Sequence, residues 1–495
     1  MVHIPLLRAG RPYRSLDVQT VRDLRTGEPV ATVSQANRGL IARDLSAGAA
    51  VGEGRRALSA LTSAELLAVC GRAAAWFAEG RLPVEPDGEL QGPEDYVRQL
   101  SATSGLPAVL CRLNMEKIRT VLAGMEKMLA GLTLGLDVGG GTLDAGWSFQ
   151  DGRRVSFLAQ TEALGAVLPS NSPGVHTLWL PAWALKIPVV VKPGREEPWT
   201  PLRIVQALLA AGLPREAVFY YPTDHAGATE ILLRCGRSLL FGDAATVGPF
   251  RDDPRVQVHG PGWSKVIFGE DQAAHWERHL DLLVSSIADN GGRSCLNASG
   301  VWVPAAGGGA GRRIAEALAE RLARIEALPL DHPEAQLAAF TRPAAAQRIS
   351  DWIDRQLRIP GAVDLTAEVR GRTPRNRLAE LGGATFLLPT LVWCEDPEHP
   401  LAHAELRFPF AAVVEVPRSE LLSRIGPTLV ATGLTEDSGF RRELLACPAI
   451  DRLNLGPIAT SRVSWDQPHE GNLFTLLYRQ RAVQAAPVAW PEAAT

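Results

Sequence analysis

The run PVVVKPG (188–194), PLRIVQALLAAG (201–212), AVFYYP (217–222), ATEILLRC (228–235) and SLLFG (238–242) decides the fold. Its short apolar blocks, rich in β-branched and aromatic residues and bounded by Gly or Pro, predict strands. The blocks between them carry apolar residues at three- and four-residue spacings, which predicts helices. Strands alternating with helices build a doubly wound parallel sheet. Ligands of such sheets sit beyond the carboxyl ends of the strands. The turns PSNSPG (169–174), KPGREEP (192–198) and FGDAATVG (241–248) are therefore the places to look for a site.

Working outward, LGAVLPSN (164–171) reads as one more strand ending in a turn, and TLWLPAWALKI (177–187) as a helix. Residues 56–81 and 107–131 each read as one helix, joined by the polar connection PVEPDGELQGPED (83–95). A second α/β section starts near residue 263, with VIFGED (266–271), a helix around 272–288, the turn NGGRS (290–294) and CLNASGVWVP (295–304). RRIAEALAERLARIEAL (312–328) is strongly helical, and 342–382 reads as a helix plus an Arg-rich connector.

Composition excludes several classes. A chain of 495 residues is too long for one core and should split into two or three domains. A net charge of −3 argues against a nucleic-acid footprint. No apolar run approaches the roughly 20 residues of a membrane span, so no stable membrane insertion is expected. The start MVHIPLLRAGRPYRS has no cleavage-site pattern, which predicts a cytoplasmic protein. Six scattered cysteines with no CxxC pair predict reduced thiols, not a disulfide framework or a zinc site.

Three glycine-rich stretches carry little by themselves. LGLDVGGGTLDAGW (134–147) resembles the phosphate-binding hairpin of actin-like ATPases, but the second hairpin and adenosine loop of that family are missing; it reads as a mobile surface connection. AGGGAG (306–311) lacks the Lys-Ser/Thr ending of a P-loop and reads as a flexible lead into a helix. FGDAATVG follows a strand and opens a helix, whose free N–H groups attract phosphate. The strongest local signal is ADNGGRSCLNASGVWVP (288–304), where Cys295 follows a glycine turn with Arg293 two residues away. That setting predicts a depressed thiol pKa and a thiolate able to attack a carbonyl carbon.

NGGRSC resembles the Asn-x-Gly-Gln-x-Cys signature of aldehyde dehydrogenases, with Arg293 in place of the Gln. LPSNSPG, VVVKPG, GLPREAVFYYP, FGDAATVG and FLLPTLVWCEDPEHPLAHAELRFPF (386–410) are similar to further blocks of that family, in the same order. The resemblance implies an α/β fold of aldehyde dehydrogenase type. A Rossmann-like NAD(P)-binding domain would cover 1–146 and 161–262, and a catalytic domain 263–473. A small bridging β element would combine 147–160 with 474–495, its exposed edges covered in a homodimer or homotetramer. It assigns the nucleophile to Cys295 and the oxyanion donor to Asn171, with Lys192, Arg195, Thr246, Gly248 and Glu405 on the cofactor.

Two departures shape the expected chemistry. The glutamate that activates the hydrolytic water in this family falls at Val258 or His259, within VQVHGPGWSKVIFGED (256–271). Without that base a thiol could take the acyl group instead. HGPGWSK also looks like the acyl-CoA reductases of bacterial bioluminescence. The resemblance thus points first to NAD(P)H-dependent reduction of an acyl-CoA through an acyl-cysteine, with CoA as co-substrate and an acyl-transferring enzyme as partner. The alternative is NAD(P)+-dependent oxidation of an aldehyde to an acid, with His259, Glu270 or Asp271 as base; a non-catalytic binding protein is the third reading. The second departure is Arg195, at the position of a ribose-binding glutamate. A guanidinium there points first to NADP(H), with NAD(H) open, although Glu196 and Glu197 are at hand to neutralise it.

Overall fold

The computed structural model describes residues 1–46, 49–85, 88, 90–305, 309–371 and 377–484. Residues 306–308 of AGGGAG, part of the Arg-rich connector and the last eleven residues of the expected bridging element lie outside these residues.

The first seven-stranded sheet holds the run that opened the analysis. Its neighbours, in order, are Val256–His259, Arg237–Phe241, Leu164–Val167, Val189–Lys192, Val218–Tyr220, Leu6–Arg8 and Arg11–Tyr13. The first five are parallel and, taken in chain order, follow the doubly wound arrangement 3-2-1-4-5. The strand order reverses between Leu164–Val167 and Arg237–Phe241, so the crevice beyond their carboxyl ends is the ligand position such folds favour. The N-terminal hairpin then adds two antiparallel strands at the far edge.

The second seven-stranded sheet runs Ala362–Asp364, Thr390–Cys394, Phe410–Val416, Ala298–Pro304, Ser264–Phe268, Thr428–Leu434 and Ile450–Leu455. All neighbours are parallel except the first pair. Two apolar clusters cover its two faces, one around Leu283, Ile314 and Leu318, the other around Trp302, Ile353 and Leu401. Burial on both faces explains why these strands read as continuous apolar runs. A third sheet joins the hairpin Ser148–Gln150/Arg153–Ala159 to Tyr478–Arg481, far apart in sequence.

Several expected elements are shorter than periodicity predicted, for local reasons. The helix expected over 56–81 is two, Ala49–Ser59 and Ser63–Glu79. Thr62 and Glu65 form a reciprocal capping box that starts the second one. The helix expected over 107–131 breaks at Gly124 into Ala108–Ala123 and Met125–Leu132. TLWLPAWALKI forms a 3-10 turn and the short helix Pro181–Ala184. The helix expected around 272–288 is Glu270–Ala273, a 3-10 turn and Leu280–Ala288. The stretch 134–147 is tied down: Asp144 accepts from Ser63 at a helix start and pairs with Lys186, and Asp137 accepts from the Gly140 N–H. No single helix among the described residues is long and apolar enough to cross a membrane.

Candidate active site

Three consecutive residues in the left-handed region, Asn290 (φ 56°), Gly291 (φ 68°) and Gly292 (φ 68°), carry the chain from the helix Leu280–Ala288 to Cys295. Gly292 is required twice over, because a Cβ there would lie 2.3 Å from the Phe408 carbonyl carbon. Gly262 packs against the nucleophile from the other side, where a Cβ would meet the Cys295 carbonyl oxygen at 2.1 Å. The Ser264 hydroxyl donates to that same oxygen at 2.8 Å. The backbone of Cys295 is therefore held by the close approach of Gly262 and by the Ser264 hydroxyl.

Two cavities meet at the thiol. The larger, about 140 Å³, is walled by Asn171, Gly242, Asp243, His259, Cys295 and Glu405 among others. It opens at the crevice where the strand order of the first sheet reverses, since Pro169 and Asn171 follow one central strand and Gly242 and Asp243 the other. The smaller, about 50 Å³, lies towards Asn114, Lys117, Asp289, Trp465 and His469.

The structure thus brings Cys295, Asn171, His259 and Glu405 together around one cavity. Lys192, Arg195, Thr246 and Gly248 stand outside its wall, on the carboxyl-end edge of the same sheet. Asn171 donates to the Arg293 carbonyl at 2.8 Å, and its Oδ1 is buried without a hydrogen-bond partner among the described residues. Glu405 accepts from the Trp263 N–H, and burial pushes its carboxyl up to about 7 against that hydrogen bond and one from Gly262. Lys265 lies buried nearby, donating to the Trp263 and Pro427 carbonyls, and burial brings its amine down to about 7.

Two electrostatic expectations are corrected. The Cys295 thiol is not depressed: burial pushes it well above the usual thiol range, and the carboxyls of Glu470 and Glu405 add to the rise. Arg293 does not offset this, because its guanidinium points into the core. There it donates to the Ser104 carbonyl at 2.6 Å and to the Ala339 carbonyl, against the Phe340 ring. Burial lowers Arg293 to about 10. Thr246 is also spoken for, since its N–H and hydroxyl both bond Asp243 Oδ1, at 2.9 and 2.7 Å. Glu196 pairs with Arg342 and Glu197 turns inward to His176 and the Thr200 N–H, so Arg195 stays exposed and neither carboxylate neutralises it. Glu270 and Asp271 follow the distal end of the strand Ser264–Phe268, roughly 13 Å of strand beyond Ser264, and line neither cavity at the thiol.

His259 ends the strand Val256–His259 and stacks on Phe241 with ring centroids 4.3 Å apart. Its Nδ1 bonds the carboxylate of Glu470, and its Nε2 lies 3.1 Å from the Gln257 amide nitrogen. That pattern assigns the proton to Nδ1 and leaves Nε2 as the acceptor. Glu470 and its neighbour His469 were absent from the sequence reading. QPHEGN (467–472) sits 211 residues from His259, and nothing in its spacing marks it. The left-handed backbone of Glu470 (φ 50°) is what turns its side chain inward.

The sequence pattern of the aldehyde dehydrogenase family matches residues 158–424, more than half of the chain. The chain belongs to the aldehyde dehydrogenase family. No curated protein matches the sequence. Among solved structures, the fold is similar to that of a putative aldehyde dehydrogenase from Burkholderia cenocepacia, at 18% identity over 99% of both chains and a TM-score of 0.72. It is similar to aldehyde dehydrogenase 21 from Physcomitrella patens in complex with the reaction product succinate, at 16% identity over 97% of both chains and a TM-score of 0.75. It is also similar to a 3,6-anhydro-L-galactose dehydrogenase in complex with NAP, at 13% identity over 97% of this chain and 99% of that one, with a TM-score of 0.75. The fold of aldehyde dehydrogenases thus extends over nearly the whole chain.

The residues present fit the dinucleotide that aldehyde dehydrogenases use, with one departure. Lys192 ends a central strand, where burial lowers its amine from the usual range, and Arg195 is exposed three residues on, so two cations stand at the carboxyl-end edge of the sheet. Gly194 packs so tightly on Pro169 that a Cβ would meet its carbonyl oxygen at 2.4 Å, leaving the turn flat at the sheet edge. The departure is Asp243. Its carboxylate caps the short helix Ala244–Val247, where a pyrophosphate would compete for the same N–H groups. The hydrogen bonds from Thr246 hold that carboxyl below the usual range, and Arg407 in the cavity wall adds to this.

Proposed function

We propose that the protein oxidises an aldehyde to a carboxylic acid in an NAD(P)+-dependent reaction, through an acyl-enzyme on Cys295. The observation that carries this reading is the His259–Glu470 pair beside the thiol. A histidine whose Nδ1–H is held by a carboxylate has Nε2 as its basic nitrogen, which here must be given up by the Gln257 amide 3.1 Å away. His259 thereby supplies, from the position of the missing glutamate, the proton acceptor that hydrolysis requires. The sequence alone left NAD(P)H-dependent reduction of an acyl-CoA as the first reading because Glu470 was invisible; aldehyde oxidation as proposed takes no CoA.

In this mechanism His259 takes the thiol proton of Cys295 as the aldehyde binds, which matters because burial opposes spontaneous ionisation. The thiolate adds to the aldehyde carbon, and the Asn171 amide and the Cys295 N–H hold the resulting oxyanion; one such donor is worth about 3 kcal/mol. The dinucleotide, when bound, supplies the hydride acceptor. Lys192 and Arg195 would hold its adenosine side, with NADP+ ahead of NAD+ because of the exposed guanidinium. Glu405 would hold the nicotinamide side. His259 passes the thiol proton to solvent and, neutral again, takes a proton at Nε2 from the water that attacks the thioester, with Glu470 stabilising the imidazolium; the C–S bond breaks, and the departing Cys295 thiolate is left for the next turnover. We carry with this reading the division into cofactor, catalytic and bridging parts, and self-association through the edge of the third sheet. Incubation of the purified protein with an aldehyde panel and NADP+ or NAD+, without CoA, tests it. Stoichiometric acid and NAD(P)H are expected; acid or reduced dinucleotide that appears only when CoA is added overturns the reading.

A further inference from the structure

His259 and Glu470 have a third neighbour. His469 lies next to the cavity containing the thiol, and its ring runs nearly parallel to that of His259, 18° apart with centroids separated by 6.2 Å. One ligand atom from each of His259, His469 and Glu470 falls within a 4.8 Å group. We propose that these three side chains form a binding site for a zinc-type divalent transition-metal ion, seated directly beside Cys295.

The donor set argues for this class of ion. Two imidazoles and one carboxylate suit zinc, cobalt, nickel or copper, whereas magnesium and calcium take oxygen ligands. The separations are close to what such an ion needs. Ligands about 2.1 Å from a tetrahedral centre lie about 3.4 Å from one another. Glu470 Oε2 is 3.9 Å from His469 Nε2, and its contact with His259 Nδ1 is closer than that spacing. Side-chain rotations of under an ångström or so therefore admit the ion without moving the strand.

The surroundings point the same way. Glu470 keeps its left-handed backbone, followed by Gly471 at φ 117°. A strained residue of this kind, persisting where its side chain is aimed into a cluster, marks a position the fold holds for use. The fourth position of a tetrahedral ion would face the cavities that Cys295 lines, and a thiolate there is a strong zinc ligand. Binding would displace the Nδ1 proton of His259, so it weakens as pH falls. It would also take His259 out of service as a base, which makes the site inhibitory; that consequence rests on the function proposed above, whereas the binding itself does not.

The test is titration of the full chain with Co2+ followed by visible absorption, and with Zn2+ followed by calorimetry. One equivalent is expected, with the intense bands of a four-coordinate cobalt ion and a thiolate charge-transfer band. Removing one ligand in His469→Ala or Glu470→Gln should weaken binding by more than roughly 100-fold. Thermal denaturation of both variants checks that they fold, and Glu470→Gln preserves the side chain's shape whereas His469→Ala removes the ring. Absence of a stoichiometric equivalent, or unchanged affinity in folded variants, overturns the site. If the ion binds as expected but no aldehyde is oxidised without CoA, the metal site stands and the proposed function falls.

Discussion

The two walls of the cavity at Cys295 have different histories in the sequence. One wall, from Asn171, Arg293 and Glu405, keeps the residues or at least the positions that aldehyde dehydrogenase motifs lead one to expect. The other, from His259 with Glu470 and His469 behind it, has no counterpart in those motifs. In the proposed mechanism the nucleophile and oxyanion donor are placed by local turns, while the pair proposed as the base is assembled from residues 211 positions apart. A motif can therefore be intact on one side of a cysteine while the proton chemistry on the other side has been rebuilt.

The first way to break the comparison is at the nucleophile both walls share. Cys295→Ala should lower aldehyde-dependent NAD(P)+ reduction by roughly 10⁴-fold or more, because a nucleophile and its base act as one unit. Stopped-flow or endpoint absorbance at the reduced nicotinamide band measures it, and a residual rate within tenfold of wild type would move the nucleophile elsewhere.

On the wall built from the expected motif positions, the departure at Arg293 should act on stability. Arg293→Ala leaves the Ser104 and Ala339 carbonyls without their donor in a buried place, a loss of about 3 kcal/mol. Arg293→Gln, the residue of the family signature, should recover part of that. Urea denaturation followed by fluorescence reads both; equal stability of wild type and Arg293→Ala would show that the guanidinium is not a brace.

Much of the fold was legible from the sequence. The alternation in 188–242 gave parallel strands because both faces are buried, and the order of those strands places Asn171 and Asp243 at the crevice. Helix lengths were less legible, because the capping box at Thr62 and the break at Gly124 override a continuous apolar stripe. The site divided along the same line. Cys295, Asn171 and Glu405 lie in recognisable blocks, and His259 was named without its partner. Glu470 was missed because an isolated His-Glu pair before a glycine looks like any surface turn until the chain returns to the strand Val256–His259. The depressed thiol was also misjudged, since Arg293 is near in sequence but turned away in space.

The rebuilt wall can be sharpened through the thiol. Burial first, then the Glu470 and Glu405 carboxyls, raise its pKa, so alkylation by iodoacetamide should still accelerate with pH above 9. Removing one negative charge with Glu470→Gln should lower that pKa and speed alkylation at pH 8 by about threefold or more. An alkylation rate that levels off near pH 7 would contradict the raised thiol.

The smallest effect belongs to the cofactor edge. Asp243→Asn retains the helix cap but removes a carboxylate from the place of a pyrophosphate, so NADP+ should bind about threefold to tenfold more tightly by fluorescence titration. Weaker binding in Asp243→Asn would mean that the carboxylate assists the dinucleotide instead of competing with it.

The measurement that tests the central claim most directly is intact-protein mass spectrometry of wild type and His259→Ala after mixing with aldehyde and NAD(P)+ in the absence of CoA. The account predicts free acid and an unmodified protein for the wild type. For His259→Ala it predicts hydrolysis slower by roughly 10²- to 10⁴-fold and a persistent acyl adduct on Cys295. A wild-type protein that itself accumulates the adduct, and releases it only when CoA is added, would contradict the account and return the chemistry to acyl transfer.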